Sequence, residues 1–387
     1  MKLRMLVFLG IYLAIYGGMH FYIYRRAIQC LPSGRWLVIV LFSLLVFAPI
    51  LIVRLTHSGL TTFTLPLAWI SYMWMGFIFI LFFISITFDC CYFIVKAAGR
   101  LGGFDVSMIN LRSSLCSFLV IVFLSGLITT YGFFTSRQIN VVSVTIPTQK
   151  LNSASGGFRV VQISDVHLGL LTREAWVVRL VQTIKDLTPD LMVSTGDLVD
   201  MQLDHIGRFA DILRSIEPRF GKYAVRGNHE VYAGLHQETS FFERAGFKIL
   251  SNEGEQIGNG VSIAGIDDPA VAQHLNTALP DEKSILEHIS KEDFVLFLKH
   301  QPVVESSSIP FFDLQLSGHS HGGQIFPFNF ITRISYRVAL GLSKMGQDTW
   351  FYHSRGTGTW GPPIRVLAPP EVTVIDLKHH EPISQNK

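Results

Sequence analysis

Four stretches within the first 134 residues, 5–24, 36–53, 65–88 and 116–134, contain no Lys, Arg, Asp or Glu, and short basic segments separate them. About 20 apolar residues carry a helix across a bilayer, where every backbone polar group must be bonded inside its own segment. A chain that begins in this way is expected to fold first as a bundle of about four transmembrane helices, the third long enough to tilt. The first stretch could instead be a secretory signal behind Met1-Lys2-Leu3-Arg4, but no A-x-A site follows it and three more runs come after it, which favours an uncleaved helix.

Charge divides the chain in the same place. Residues 1–137 hold ten Lys/Arg and two Asp/Glu, whereas residues 138–387 hold 22 and 27, so the net +3 averages a basic, charge-poor half and an acidic one. This fits a multi-span region over 1–134, a linker over 135–157 with Pro147 and the Ser153-Ala154-Ser155-Gly156-Gly157 run, and a domain over 158–387 large enough for its own core. The loops with Arg25, Arg26, Arg35, Lys96, Arg100 and Arg112 carry six basic residues, against four (Lys2, Arg4, Arg54, Arg137) near the spans on the other side. By the positive-inside rule, that margin of two places those loops in the cytoplasm and the C-terminal domain outside, as in a multi-pass protein of a bacterial cell membrane. Asp89 reads as an interfacial carboxylate with Lys96 nearby, and His20 as a buried hydrogen-bonding residue rather than a ligand.

All four cysteines lie in the first 116 residues, so any metal in the second half must be held by N and O ligands. From Phe158 onward, short apolar runs at 158–163, 191–193, 222–225, 261–264 and 294–298 read as strands. Helical patterns at 174–187 and 205–216 alternate with them, stopped by Pro189 and Pro218. That order is an α/β layered domain, whose reactive residues belong at the strand ends.

The polar residues cluster there. Asp165-Val166-His167 follows the first strand, Gly196-Asp197-Leu198-Val199-Asp200 the second and Gly227-Asn228-His229-Glu230 the third; Lys299-His300 and Gly318-His319-Ser320-His321 follow later ones. Two divalent cations that share one carboxylate can clamp a phosphoryl group and activate water, and they need a bridging Asp, neutral imidazoles and carbonyl or carboxylate oxygen. Each piece alone is common; five in order, each ending a strand, are not.

In this order the motifs D-x-H, G-D-x-x-D, G-N-H-E, a lone His and G-H-x-H resemble the calcineurin-like metallophosphoesterase family over residues 158–377. The stretch Ser354-Arg355-Gly356-Thr357-Gly358, with Pro363-Ile364-Arg365 and Pro370-Glu371, is similar to its bacterial, membrane-anchored branch. The resemblance implies two mixed β-sheets packed face to face with helices outside, an αββα sandwich that periodicity alone does not distinguish from one doubly wound sheet. It implies one metal on Asp165, His167, Asp197 and His321, and a second on Asp197, Asn228, His300 and His319, each being Mn, Fe, Zn or Co. It places His229 near the scissile bond, where it stabilises phosphoryl oxygens or protonates the leaving group, and makes Asp200 and Glu230 partners that orient ligand imidazoles. Arg355 and Arg365 are the candidates for substrate contact. Protein phosphatases of the superfamily continue G-D-x-V-D with Arg-Gly; here Met201-Gln202 stands instead, which disfavours a phosphoprotein substrate.

The expected activity is hydrolysis of a phosphomonoester, phosphodiester or pyrophosphate. Phe326-Pro327-Phe328-Asn329-Phe330-Ile331, with Tyr336, Val338, Leu340 and Leu342 beyond, is either an interfacial lip admitting a lipid-linked phosphate such as UDP-2,3-diacylglucosamine, or ordinary core plus a strand. The alternative is a membrane sensor that binds a phosphorylated ligand without turnover, for which a complete ligand set is unnecessary. Nucleic acid is not an expected partner, because the second half is net negative without a basic stripe.

Overall fold

The computed structural model describes residues 2–30, 32–57, 61–103, 114–151, 156–200 and 206–380. Of the positions singled out above, Met1, Arg112, Ser153, Ala154, Ser155, Met201, Gln202 and His205 lie outside the described residues. The chain divides into two compact units: Met1–Phe134 with Gly361–Val366, and Thr135–Trp360 with Leu367–Lys387.

The first unit contains α1 (Lys2–Tyr12), a π-helical turn (Leu13–Gly17), α2 (Gly18–Cys30), α3 (Arg35–His57), α4 (Thr61–Leu101) and α5 (Leu115–Thr135). Among the described residues, three helices are long and apolar enough to cross a membrane, over Arg35–Thr56, Phe63–Leu101 and Leu115–Thr135. The first expected span is helical, running without a gap from Lys2 to Cys30 through the five-residue π turn, whose flanking residues Tyr12 and Gly18 are both α-helical.

α2 turns its polar residues inward. Arg26 and Asp89, both buried, form an ion pair at 2.7 Å, and the Tyr22 hydroxyl donates to the same carboxylate at 2.6 Å. Asp89, expected as an interfacial carboxylate, is thus buried and paired with Arg26: a carboxylate on the inner face of an apolar bundle takes the cation that faces it there. His20 is a hydrogen-bonding residue as expected, with Nδ1 at the Tyr16 carbonyl and Nε2 accepting from the Trp74 indole, each at 2.8 Å.

The segment Gly361–Val366 packs among these helices through two glycine notches. A Cβ at Gly76 would lie 2.4 Å from Ile364 Cδ1, and one at Gly132 would lie 2.9 Å from Val366 Cγ2. The Arg365 N–H donates to the Gly132 carbonyl at 2.9 Å, which ties the segment to α5. Gly76→Val is expected to overpack this notch at a cost of about 1–3 kcal/mol. The thermal midpoint of the detergent-solubilised protein should fall, whereas Gly10→Val, with nothing within 4 Å of the added carbon, should leave it unchanged.

The second unit is built on two six-stranded mixed sheets. Its strands are β1 (Asn140–Thr148), β2 (Phe158–Ile163), β3 (Leu191–Ser194), β4 (Lys222–Ala224), β5 (Lys248–Ile249), β6 (Glu253–Gly258), β7 (Val261–Ile266), β8 (Phe294–Lys299), β9 (Leu314–Ser317), β10 (Gly341–Lys344), β11 (Trp350–His353) and β12 (Glu371–His379). The first sheet has the order β1-β12-β2-β3-β4-β5 and the second β10-β11-β9-β8-β7-β6. β2 to β5 run parallel, as do β11, β9, β8 and β7, while β12 against β2, β10 against β11 and β6 against β7 are antiparallel.

Alternation along each strand separates the layers. Val160, Leu191, Val193, Ile263, Leu296, Leu314 and Ile375 meet in a core between the sheets. Val161, Ile163 and Met192 face outward against α6 (Glu174–Asp186), α7 (Gly207–Arg214) and, beyond the short α8 (Asn228–Ala233), α9 (Leu235–Ala245). On the second sheet Ala264, Val295 and Phe297 point away from that core, toward Leu286 of α11 (Glu282–Leu286), which follows α10 (Pro269–Leu275). This is the expected αββα arrangement.

The stretch read as linker is only partly one. Asn140–Thr148 is β1, paired in parallel with β12 at nine positions, so the first sheet starts inside it. Pro147 is tolerated because β1 is an edge strand, where a missing N–H breaks no second ladder.

Candidate metal centre

The reactive residues stand where β2, β3, β8 and β9 end. Asp165 and His167 follow β2, Asp197 follows β3, His300 follows β8, and His319 and His321 follow β9; Asn228 and His229 open α8 beyond β4. Three groups of side chains place ligand atoms within 4.8 Å of one another: Asp165, His167 and His321; His167, Asp197 and His229; and Asp197, His300 and His319. Asp197 belongs to two of the three. Its Oδ2 lies 3.2 Å from His300 Nε2 and 3.8 Å from His167 Nε2.

Sharp turns make this convergence possible. Asp165, His167, Asp197, His319 and His321 all have φ between 50° and 71°. Gly318 is needed because its Cβ would fall 1.9 Å from Ser164 Oγ and 2.2 Å from Asp165 Oδ2, and Gly227 because its Cβ would fall 2.2 Å from Asp197 Oδ1. The Asp165 carboxylate takes Ser164 Oγ–H at 2.5 Å and the His319 N–H at 3.0 Å, joining the β2 and β9 loops.

Several observations fit these residues to metal ions. The His167 and His321 Nε2 atoms approach to 3.0 Å, as do His300 Nε2 and His319 Nδ1. His300 Nδ1 lies 2.8 Å from the Thr195 carbonyl, an acceptor that takes its proton and turns Nε2 to the centre. Asn228 Oδ1 is buried without a hydrogen-bond partner. A buried amide oxygen without a hydrogen-bond partner, one residue before His229, suits a metal ligand. The donors are nitrogen and oxygen throughout, the set that suits borderline divalent ions.

The electrostatics of His167, His319 and Asp197 agree. Burial, reinforced by the charge of His229, lowers His167 well below the usual histidine range, and burial with His300 lowers His319 to about 4. Both imidazoles are therefore neutral near pH 7, with lone pairs to offer. Burial pushes the Asp197 carboxyl up, but His300 beside it more than compensates and holds it ionised, well below the ordinary value. Burial also opposes charge on His300 and His229, yet Asp197 raises the first well above its ordinary value, and the Asp200 hydrogen bond with Asp197 raises the second. Burial raises Asp165.

Asp200 meets His229, which is outside the expected ligand set, with His229 Nδ1 3.0 Å from Asp200 Oδ1. Glu230 acts differently. It reaches no ligand imidazole; its carboxylate accepts the backbone N–H groups of Asp197, Leu198, Val199 and Gly227 at 2.7–3.2 Å. It thus fixes the two loops that carry Asp197 and Asn228. Burial, then Asp197, raises its carboxyl to about 7.

Of the two candidate arginines, Arg355 packs beside the metal loop, where a Cβ at Gly322 would lie 3.1 Å from its Cγ. Arg355 Nε donates to Glu371 at 2.6 Å, so its guanidinium is engaged with a buried carboxylate. Arg365 has no exposed surface and sits in the helical unit with Gly361–Val366. The Ser354–Gly358 stretch backs the β2 loop: the Thr357 N–H donates to the Ser164 carbonyl at 2.7 Å, and the Gly358 N–H to Asp165 O at 3.0 Å. Sequence reasoning passed over Gln324 and Trp360, although Gln324 stands three residues past His321 and Trp360 two past Gly358. The aromatic segment after the metal motif is not core: α12 (Phe328–Tyr336) has no buried residue, and Phe328, Phe330, Ile331 and Ile334 are exposed.

The calcineurin-like phosphoesterase family profile matches residues 158–323. An uncharacterized metallophosphoesterase of Aquifex aeolicus is 34% identical over 258 residues, 66% of this chain and 98% of its own length. One of Campylobacter jejuni is 30% identical over 382 residues, 96% of this chain and 98% of its own. A transmembrane protein with metallophosphoesterase domain from Danio rerio is 29% identical, over 91% of this chain and 83% of its own.

Proposed function

The chain belongs to the calcineurin-like metallophosphoesterases and is a metal-dependent phosphoester hydrolase, and from that premise we propose a membrane-anchored enzyme with two divalent ions that acts on a lipid-linked phosphate. The observation that carries the two-ion reading is the Asp197 carboxylate, shared by two groups of ligand atoms. Asp165, His167, Asp197 and His321 would hold one ion, and Asp197, Asn228, His300 and His319 the other. Mn, Fe, Zn and Co all suit such N/O donors. When bound, the ions supply Lewis acidity to the phosphoryl oxygens and lower the pKa of water.

The protein's own residues do the rest. His229, whose protonated form the Asp200 hydrogen bond and Asp197 favour against burial, stabilises the phosphoryl oxygens or gives its proton to the leaving group. Glu230 and the turn glycines hold the ligand loops so that little reorganisation is needed. The exposed apolar residues of α12, with Arg333 and Arg337 among them, support a lipid-facing lip at the site. The Tyr336 ring links that helix to His319, centroid to centroid 5.6 Å. Counting basic residues favours the second unit on the extracytoplasmic face of a bacterial cell membrane.

Chelation of the detergent-solubilised protein is expected to abolish hydrolysis of a generic phosphoester, and add-back of Mn, Fe, Zn or Co to restore it, with about two ions per chain by elemental analysis. Activity that survives complete chelation would sink the metal reading; ligand binding without turnover under every metal would favour the sensor. A panel of UDP-2,3-diacylglucosamine, lysophospholipid and simple nucleotides tests the lipid reading, and faster turnover of the soluble compounds would count against it.

A further inference from the structure

Two half-exposed aromatic rings stand beside the His229 imidazole. Tyr232, three residues on in α8, has its ring centroid 5.3 Å away at an interplanar angle of 77°. The Trp360 indole lies 5.7 Å away at 73°. His167 is a third neighbour at 4.6 Å. The imidazole is 7% exposed, but Tyr232 and Trp360 keep 56% and 53% of their surface open. Neither ring is used as core.

Trp360 is nevertheless fixed in place. Gln324 accepts the Trp360 N–H at Oε1 and donates from Nε2 to the Trp360 carbonyl, both at 2.9 Å. Gln324 is itself buried, just past the loop that carries His319 and His321. The backbone that carries the indole is thus clamped on both sides, so only two side-chain torsions remain to be fixed when a ligand arrives, a small entropic cost for a large contact area.

We propose that Trp360 and Tyr232 form the subsite for the leaving group, and that this group carries a planar ring system such as a nucleotide base. The assignment rests on the reading of His229 as facing the scissile bond. Two open aromatic rings flanking one proton donor suit a flat partner, since stacking adds to the contact area that an aliphatic group would also gain. Gln324 is then a positioning residue, acting through the Trp360 backbone.

The test is equilibrium dialysis of the full-length, detergent-solubilised protein in chelator, with UMP, AMP and inorganic phosphate as probes. Both nucleotides should bind more tightly than phosphate. Trp360→Ala should weaken nucleotide binding about 10-fold and leave phosphate unchanged, Trp360→Phe should retain most of the affinity, and Gln324→Ala should fall between. With metal restored, Trp360→Ala should raise KM for nucleotide esters at nearly constant kcat and spare glycerol 3-phosphate. The proposal is overturned if phosphate binds as tightly as the nucleotides, if Trp360→Ala weakens phosphate equally, or if it changes nothing, as for an indole that only anchors at a lipid interface. The dialysis needs no turnover, so failure of this subsite and failure of the hydrolytic reading are told apart.

Discussion

Asp197→Ala is expected to lower phosphoester hydrolysis by about 10³-fold or more, since groups that act as a unit fail together when one is removed. The carboxylate is within 4 Å of both His167 and His300, and its Oδ1 also accepts the His229 N–H at 2.9 Å, so one truncation strips two ligand groups and the start of α8. Asp197→Asn separates charge from shape: it keeps an acceptor for the His229 N–H but offers no anion to share between cations. Elemental analysis should find both variants depleted of metal, with kcat lost in step. Full metal content and activity in Asp197→Asn would sink the shared-carboxylate reading.

Gly318→Ala should have the next largest effect, although it adds one methyl group at a position that is itself neither a proposed ligand nor a proposed substrate contact. That carbon would arrive 1.9 Å from Ser164 Oγ and 2.2 Å from Asp165 Oδ2, inside a buried turn, so Asp165 must move. A displacement of about 1 Å in a reacting constellation costs about 10² in rate. Steady-state kcat should fall by that order while far-UV circular dichroism stays native, and Ser164→Gly in the same chain should recover part of the loss. Gly346→Ala, whose nearest neighbour would be 3.4 Å away, is the matched control. A kcat for Gly318→Ala equal to that of the control would remove the argument.

The ligands were legible in the sequence because chemistry and topology coincide in them. Asp165, Asp197 and His300 each follow an apolar run, and that run is the strand that delivers them. What stayed hidden depends on partners distant in the chain. β1 resembles a linker because its exposed positions are Val141, Ser143, Thr145 and Pro147, and only pairing with β12, some 230 residues later, makes it a strand. Glu230 sits where an imidazole partner was expected, but a carboxylate that accepts backbone N–H groups leaves no mark in the pattern. Arg365 looked like a phosphate contact because it is basic and near a motif; its full burial, in a segment whose neighbours Ile364 and Val366 fit against Gly76 and Gly132, leaves no mark in the local sequence. The π turn within the first apolar helix is equally silent, since hydropathy measures length and not hydrogen-bond register.

The left-handed backbone shared by Asp165, His167, Asp197, His319 and His321 has an evolutionary corollary. An L-residue in that conformation costs on the order of 1–2 kcal/mol, and glycine almost nothing. Heat resistance and chemistry therefore pull these five positions in opposite directions. Selection for thermal endurance alone, in protein without metal, would carry them toward glycine and yield sturdier chains that hydrolyse nothing.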